Sequence, residues 1–368
     1  MYYFKKKKYD VCYYLRMASL LKKNNDQIII YQDFLASYQK KKDQQREQGE
    51  KSKTDGGDDG LEDGSSYDIS NAFFELANAP AIGYRLAALP SSSSSPSEEG
   101  DETSPTESRS NEAATILTIH QDTVSACLQH TGGIVWETSY LLLQYLLDRS
   151  KSTTVKRSLG RTIEVGAGCG LLGQALYAHN LCQDDVMVMT ETEPVLTNLK
   201  SNIDRNRSVL LGRASLNKAI RKKMKKKKKK KRRRTEDNDG ASANGNCCSL
   251  DCCSLDWLNY QRDMELNPHI FSKKFDTILG TDVVFKPSLV EPLLQTLDAL
   301  SHISTAVYLC LQVRCPTSHG LLLEHATLSK YNFQIEDITE SELSKIPSCQ
   351  WGLDLECHLY RLTRTHTT

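Results

Sequence analysis

The sequence predicts an α/β protein: a doubly wound, seven-stranded, mostly parallel sheet covered by helices on both faces. Three observations predict it. From about Ala113 onward, short apolar runs of strand length alternate with longer runs that have one apolar helical face. One of the short runs, RTIEVGAG, passes directly into a glycine-rich turn and then into a helical pattern, CGLLGQALYAHN. Near the end, FQIEDIT and LECHLYRLTR read as two closing strands. In such a sheet right-handed crossovers bring a ligand to the carboxyl ends of the strands.

Taken in order, ATILTIHQD alternates apolar and polar side chains and reads as a strand, and TSYLLLQYLLDRS at 138–150 reads as a helix. RTIEV is a short buried strand, followed by the glycines and a helix; DVMVMTE is another buried strand. PVLTNLKSNIDRN is a helix with Pro194 in its first turn, where a missing N–H costs little. FDTILGTDVVF, SLVEPLLQTLDALSHI and TAVYLCLQV read as strand, helix and strand. One domain from about 113 to 365 is expected.

The rest of the chain reads differently. Only 39% of the 368 residues are hydrophobic, below the usual globular share, so part of the chain is expected to lie outside a core. Residues 1–39 admit one or two short helices or a strand around Ile28-Ile29-Ile30. Residues 40–66 have almost no apolar side chains to offset chain entropy and read as a disordered linker. Residues 67–90, with Phe73, Phe74 and Leu76, read as a short helical segment. The Ser-rich, acidic stretch 91–112 reads as a second disordered linker. Residues 206–250 read as an insertion in a surface loop. They hold seven consecutive lysines, Lys225 to Lys231, then three arginines, and run into a tandem CCSLD at 247–256.

The near balance of 47 basic and 46 acidic residues therefore hides strong clustering. No apolar run approaches the ~18 residues needed to span a bilayer, and the first residues carry no signal-peptide pattern. Without such a signal, the twelve cysteines are expected as thiols in the cytosol or nucleus. Cys247, Cys248, Cys252 and Cys253 lack the usual ligand spacing, and the histidines show none, so no metal is expected. The lysine run suits an anionic partner or an import receptor, by salt-sensitive contact, and equally suits a solvated tract. A monomer is expected.

Two glycine fingerprints overlap in TIEVGAGCGLLGQAL. Gly168, Gly170 and Gly173 fit a dinucleotide pattern. Glu164, Gly166, Gly168 and Gly170 fit a loop that binds S-adenosylmethionine. Both use a turn in which the backbone approaches the ligand and a helix N-terminus faces it. The dinucleotide pattern starts late, because Gly166 already follows the strand. An acidic residue after the next strand, Glu191, suits the ribose of either ligand.

The segments around the loop favour the second reading. Val135-Trp136-Glu137 precedes it; Thr190-Glu191, Leu255-Asp256-Trp257 and Asp282-Val283-Val284-Phe285 follow, in order. This set resembles the seven-strand protein-lysine methyltransferases, the group that includes enzymes acting on chaperones and valosin-containing protein. The resemblance spans about 113–365 without the insertion. It implies S-adenosylmethionine as cofactor, with Glu164 supporting the loop and Gly166, Ala167 and Gly168 lining the amino-acid end. It implies Glu191, where the family has aspartate, at the ribose hydroxyls, and Asp256 and Trp257 beside the adenine. Thr281, where the family often has alanine, would stand beside Asp282 at the strand end. Trp136 would lie near the cofactor and the substrate channel, and Phe285 replaces the commoner tyrosine. Asp282, Trp136 and Phe285 are the catalytic candidates: two aromatic walls that disfavour a charged amine and a carboxylate that orients either that amine or the cofactor's ammonium group.

Each has a plainer reading. Trp136 and Trp257 suit a core, Asp256 a helix cap, and Glu164 a hydrogen bond to nearby backbone. The acceptor implied is a lysine of a protein; histidine, a small molecule, RNA or a non-catalytic adaptor role remain open at this level.

Overall fold

In a computed structural model the described residues are 28–54, 69–86, 115–123, 131–151, 158–182, 186–216, 219 and 249–364. The two stretches 55–68 and 91–112 and the lysine run lie outside them.

The main sheet has seven strands in the order β6-β5-β4-β7-β8-β10-β9. In chain order these are β4 (Thr162–Val165), β5 (Val186–Glu191), β6 (Ser249–Ser254), β7 (Phe275–Thr281), β8 (Ser301–Gln312), β9 (Phe333–Asp337) and β10 (Cys357–Arg364). The pairs β4/β5, β4/β7, β5/β6 and β7/β8 are parallel, and β10 pairs antiparallel with both β8 and β9. Alternate side chains feed opposite faces: Met187 and Met189 belong to one buried cluster and Val188 to the other. The chain winds outward from β4 through β5 and β6, then crosses back to β7 on the other flank of β4. A ligand crevice belongs at that reversal, at the strands' carboxyl ends.

The expected strand ATILTIHQD exists as β3 (Ile116–His120), but in a different sheet. It pairs antiparallel with β2 (Ala81–Arg85), which in turn pairs parallel with β1 (Ile29–Ile30). The seventh strand of the main sheet is β6, which the alternation of side chains does not announce. Its sequence, SLDCCS, is polar, and only Cys253 in it is buried. An edge strand leaves much of its surface in water, so no apolar pattern marks it.

The small sheet shares its core with the main one. Tyr31, Phe73, Leu76, Ile82, Tyr84, Leu117 and Ile119 belong to the same buried cluster as Tyr140, Leu141, Leu359 and Trp351. Tyr31 stacks on Tyr140 with ring centres 3.7 Å apart, and Phe73 stacks on Trp351 at 4.8 Å. The physical unit therefore reaches back to Ile29 rather than starting near 113. Gln121 ties the two parts. Its Nε2 donates to the carbonyls of Leu76 at 3.0 Å and Ala79 at 2.7 Å, while its Oε1 accepts from the N–H of Val135 at 2.6 Å. A chain that begins at residue 113 is predicted to lose cooperative unfolding, because it uncovers Tyr140 and Trp351. A thermal melt that stays sharp would contradict this.

Other element boundaries also differ from the sequence expectation. A helix runs from Tyr31 to Thr54, through the first part of the expected linker 40–66. Its Lys, Gln, Glu and Arg residues are good helix formers, and buried Tyr31 and Tyr38 anchor its start. Residues 67–90 hold a helix, Ile69–Asn78, and strand β2 as well. The expected insertion at 206–250 begins as ordered helix over 207–216. Asn206, Leu210 and Arg213 are buried on one helical face. Asn206 also bonds both backbone groups of Thr118 in β3, each at 2.9 Å. At its far end the expected insertion contains the first residues of β6.

Candidate functional site

The predicted site residues lie at or within four residues of the carboxyl end of β4, β5, β6 or β7, or in the segment that leads into the helix Glu137–Lys151, while Cys247 and Cys248 lie outside the described residues. The glycine loop leaves β4 with Gly166 at φ 66° and Gly168 at φ 55°, a region that side-chain-bearing residues avoid. A Cβ on Gly166 would meet Val283 Cγ1 at 3.1 Å and the Trp257 indole at 3.3 Å. A Cβ on Gly168 would lie 3.3 Å from the carbonyl of Gly132. The loop is thus a cradle walled by Trp257, Val283 and the Thr131–Gly133 turn. Ala167 is buried, and its N–H bonds the carbonyl of Thr190 at 2.9 Å.

Glu191 stands at the end of β5 and faces this cradle. Its Oε1 accepts from the N–H of Gly168 at 3.1 Å, and its Oε2 from the N–H of Thr192 at 2.7 Å. Gly132 sits beside the same carboxylate, where an added Cβ would be 3.2 Å from Oε1.

Glu164 points away from the ligand side of the loop. It is buried within β4, and its Oε2 accepts from the N–H of Gly173 at 3.0 Å, in the first turn of the helix Leu171–Ala178. It satisfies a donor that a helix start leaves unpaired. Burial pushes its carboxyl up to about 8. A carboxyl raised on folding stabilises the fold fully below its ordinary value of 4.5, and that contribution is lost as pH rises through about 8. Glu164→Gln keeps the acceptor and removes the charge. Its melting temperature should match the native protein's near pH 5 and exceed it near pH 8.5, by on the order of a few kcal/mol in stability. Parallel pH profiles would refute the assignment. Gly173 itself serves packing, since a Cβ there would lie 2.4 Å from the Met189 sulfur.

Asp256 does what its plainer reading states. It caps a short 3-10 turn, accepting from the N–H of Leu258 at 3.0 Å and from Asn259 Nδ2 at 2.9 Å. Trp257, next in the chain, is half-buried against the glycine loop.

A second group gathers where β7 and β8 end. Thr281 is buried, and its hydroxyl lies 3.0 Å from that of Ser139. Asp282 takes the left-handed backbone, φ 52°, which Asp tolerates better than most residues. Both of its oxygens are bonded: Oδ1 accepts from the N–H of Gln312 at 2.9 Å, and Oδ2 from Arg314 Nη2 at 2.8 Å and Nε at 3.2 Å. The same Arg314 Nη2 donates to Glu137 Oε1 at 2.8 Å. The guanidinium lies 4.2 Å from the centre of the Trp136 ring, and Trp136 Nε1 donates to the carbonyl of Thr131 at 3.0 Å. Burial pushes the Glu137 carboxyl up, and Arg314 opposes that shift. Phe285 is half-buried, and the Lys286 ammonium lies 5.7 Å from its ring centre. Sequence reasoning missed Arg314, and it quoted Glu137 without giving it a task. The available signal was position: Arg314 closes the apolar run TAVYLCLQV as Asp282 closes FDTILGT.

A glycine cradle at the reversal of a doubly wound parallel sheet, with an acid closing the neighbouring strand, defines a class I methyltransferase fold. The description "lysine methyltransferase" matches residues 111–233 and 243–325, more than half of the chain, and the chain belongs to that family. It is similar to ribosomal lysine N-methyltransferase 5 of Kluyveromyces lactis, 23% identical over 248 residues that cover 58% of this chain and 70% of the relative. Among solved structures it is similar to a precorrin-6y C5,15-methyltransferase from Geobacter metallireducens (TM-score 0.34, 8% identity), which covers 62% of this chain and 86% of that one. It is also similar to the Methanococcus jannaschii fibrillarin pre-rRNA processing protein (TM-score 0.35, 10% identity), over 63% of this chain and 77% of that one. Among the described residues no helix is long and apolar enough to cross a membrane.

Proposed function

We propose that this enzyme uses S-adenosylmethionine to methylate the side-chain amine of a lysine in a protein substrate. The observation that carries this reading is the fit of the cradle to such a cofactor. Two glycines at positive φ leave room that a Cβ would fill. The Glu191 carboxylate, whose Oε1 accepts from the N–H of Gly168 at 3.1 Å, is the acceptor this reading assigns to the ribose diol. The Trp257 indole flanks the same space.

In this reading the Gly166–Gly168 backbone holds the amino-acid end, Glu191 the ribose, and Trp257 the adenine, with Asp256 shaping the turn that presents Trp257. Bound there, S-adenosylmethionine supplies a methyl group already activated by its cationic sulfur. The chain's own task is to hold a neutral amine in line, and proximity and orientation supply much of the acceleration. Trp136 and Phe285 form apolar walls that disfavour the charged amine, whose ordinary pKa is about 10.4. Asp282 is spent on Arg314, so its part is to fix the wall rather than to take the amine's proton, which leaves to solvent.

The similarity to a ribosomal lysine methyltransferase makes ribosomal proteins the first substrates to try. The basic run Arg221 to Arg234 would add only non-specific, salt-sensitive contact with an anionic partner. The test is incubation of the full chain with methyl-labelled S-adenosylmethionine and a ribosomal protein fraction, followed by site mapping. Label on lysine is expected; label confined to RNA, small solutes or histidine would overturn the proposal.

A further inference from the structure

We propose that Arg314 is a positioning residue for methyl transfer, which holds the Trp136 indole at the acceptor side of the site. The inference rests on the lysine-methylation reading above. Arg314 follows the carboxyl end of β8, and its charged group meets three partners from two other elements. It bonds Asp282 at 2.8 and 3.2 Å, Glu137 at 2.8 Å, and covers the Trp136 ring at 4.2 Å. The Asp282 side chain is only 5% exposed and that of Glu137 13%, so both carboxylates depend on this cation.

The shape of the group matters as much as its charge. A planar guanidinium bonds carboxylates along its edge while its face covers an aromatic ring, and an ammonium cannot do both. Trp136 is thereby fixed twice, in its plane by the bond from Nε1 to Thr131 and on its face by Arg314. Asp282 and Glu137 hold the guanidinium that covers the indole. A wall that turns freely would present the amine in many orientations, and a misplacement near 1 Å costs about 100-fold in rate.

The test uses Arg314→Lys in the full chain, with the indole nitrogens of Trp136, Trp257 and Trp351 labelled with nitrogen-15. Solvent exchange of the Trp136 indole proton should accelerate about tenfold or more, while that of Trp351, in the shared core, stays as it was. An unchanged Trp136 signal overturns the proposal, and so does an equal change at Trp351, which would mark a general structural role. In the transfer assay kcat should fall about 100-fold, with affinity for S-adenosylmethionine changed less than twofold. In a Trp136→Leu background Arg314→Lys should cost no more; losses that multiply overturn the proposal. If Arg314→Lys does not fold, the pair Arg314→Gln and Glu137→Gln removes a cation with one of its anions and is read the same way. Failure of both to fold makes Arg314 a structural residue and overturns the proposal. If the native chain methylates no lysine, the functional reading fails, while the indole exchange still decides the role of Arg314.

Discussion

Asp282→Ala is expected to lower the melting temperature by roughly 10 °C, the largest loss from any single site residue. The change strands Arg314 with Glu137 alone and leaves the N–H of Gln312 without its acceptor. Breaking a buried ion pair by deleting one partner costs about 3–5 kcal/mol, and a chain of this size loses about 2–4 °C per kcal/mol. Alanine also fits the backbone at φ 52° less well than aspartate. Asp282→Asn keeps both an oxygen acceptor and tolerance of that backbone, so it should lose less than half as much. A melt of Asp282→Ala within about 2 °C of the native one would show that the network carries little, and the case for a fixed Trp136 would weaken with it.

Gly166→Val should abolish measurable binding of S-adenosylmethionine while the chain stays folded. A branched side chain at φ 66° is strained, and its first carbon already meets Val283 and Trp257 at 3.1 and 3.3 Å. The strain of about 1–2 kcal/mol leaves the sheet intact, because Gly166 lies beyond the last residue of β4. An affinity loss of 100-fold or more corresponds to at least ~2.7 kcal/mol, which the filled cradle supplies. Calorimetry with the cofactor, beside circular dichroism for folding, makes the comparison. Native-like affinity in the variant would place the cofactor somewhere other than this loop.

These two residues illustrate what could be read before the fold was known. Gly166 was legible because its signal is local: a strand that runs into a glycine-rich turn marks a place where the backbone can take positive φ, as Gly166 does at 66°. Glu191 was legible for a similar reason, since one acid after a buried strand stands out. Asp282 was legible as a position but not as a chemical state. Its partner Arg314 is 32 residues away, and nothing in sequence spacing reports a contact between the ends of two neighbouring strands. Glu164 shows the opposite ambiguity. Its pattern matched a ligand loop, yet the bond it makes is nine residues away, in the helix that the loop begins.

Local chemistry alone settles the class of sheet, the glycine turn and the order of the four motifs that carry the resemblance to the family. Side-chain periodicity and backbone strain act over a few residues, and a single chain displays them directly. Only the folded chain settles three other matters. Side chains from the segments 29–38 and 73–86 join the same core as the main sheet, the polar segment Ser249–Ser254 closes one sheet edge as β6, and Arg314 joins Asp282, Glu137 and Trp136. Each depends on which surfaces meet after the strands are laid side by side. That meeting is decided by burial and charge pairing across long stretches of chain, which no short window of sequence contains.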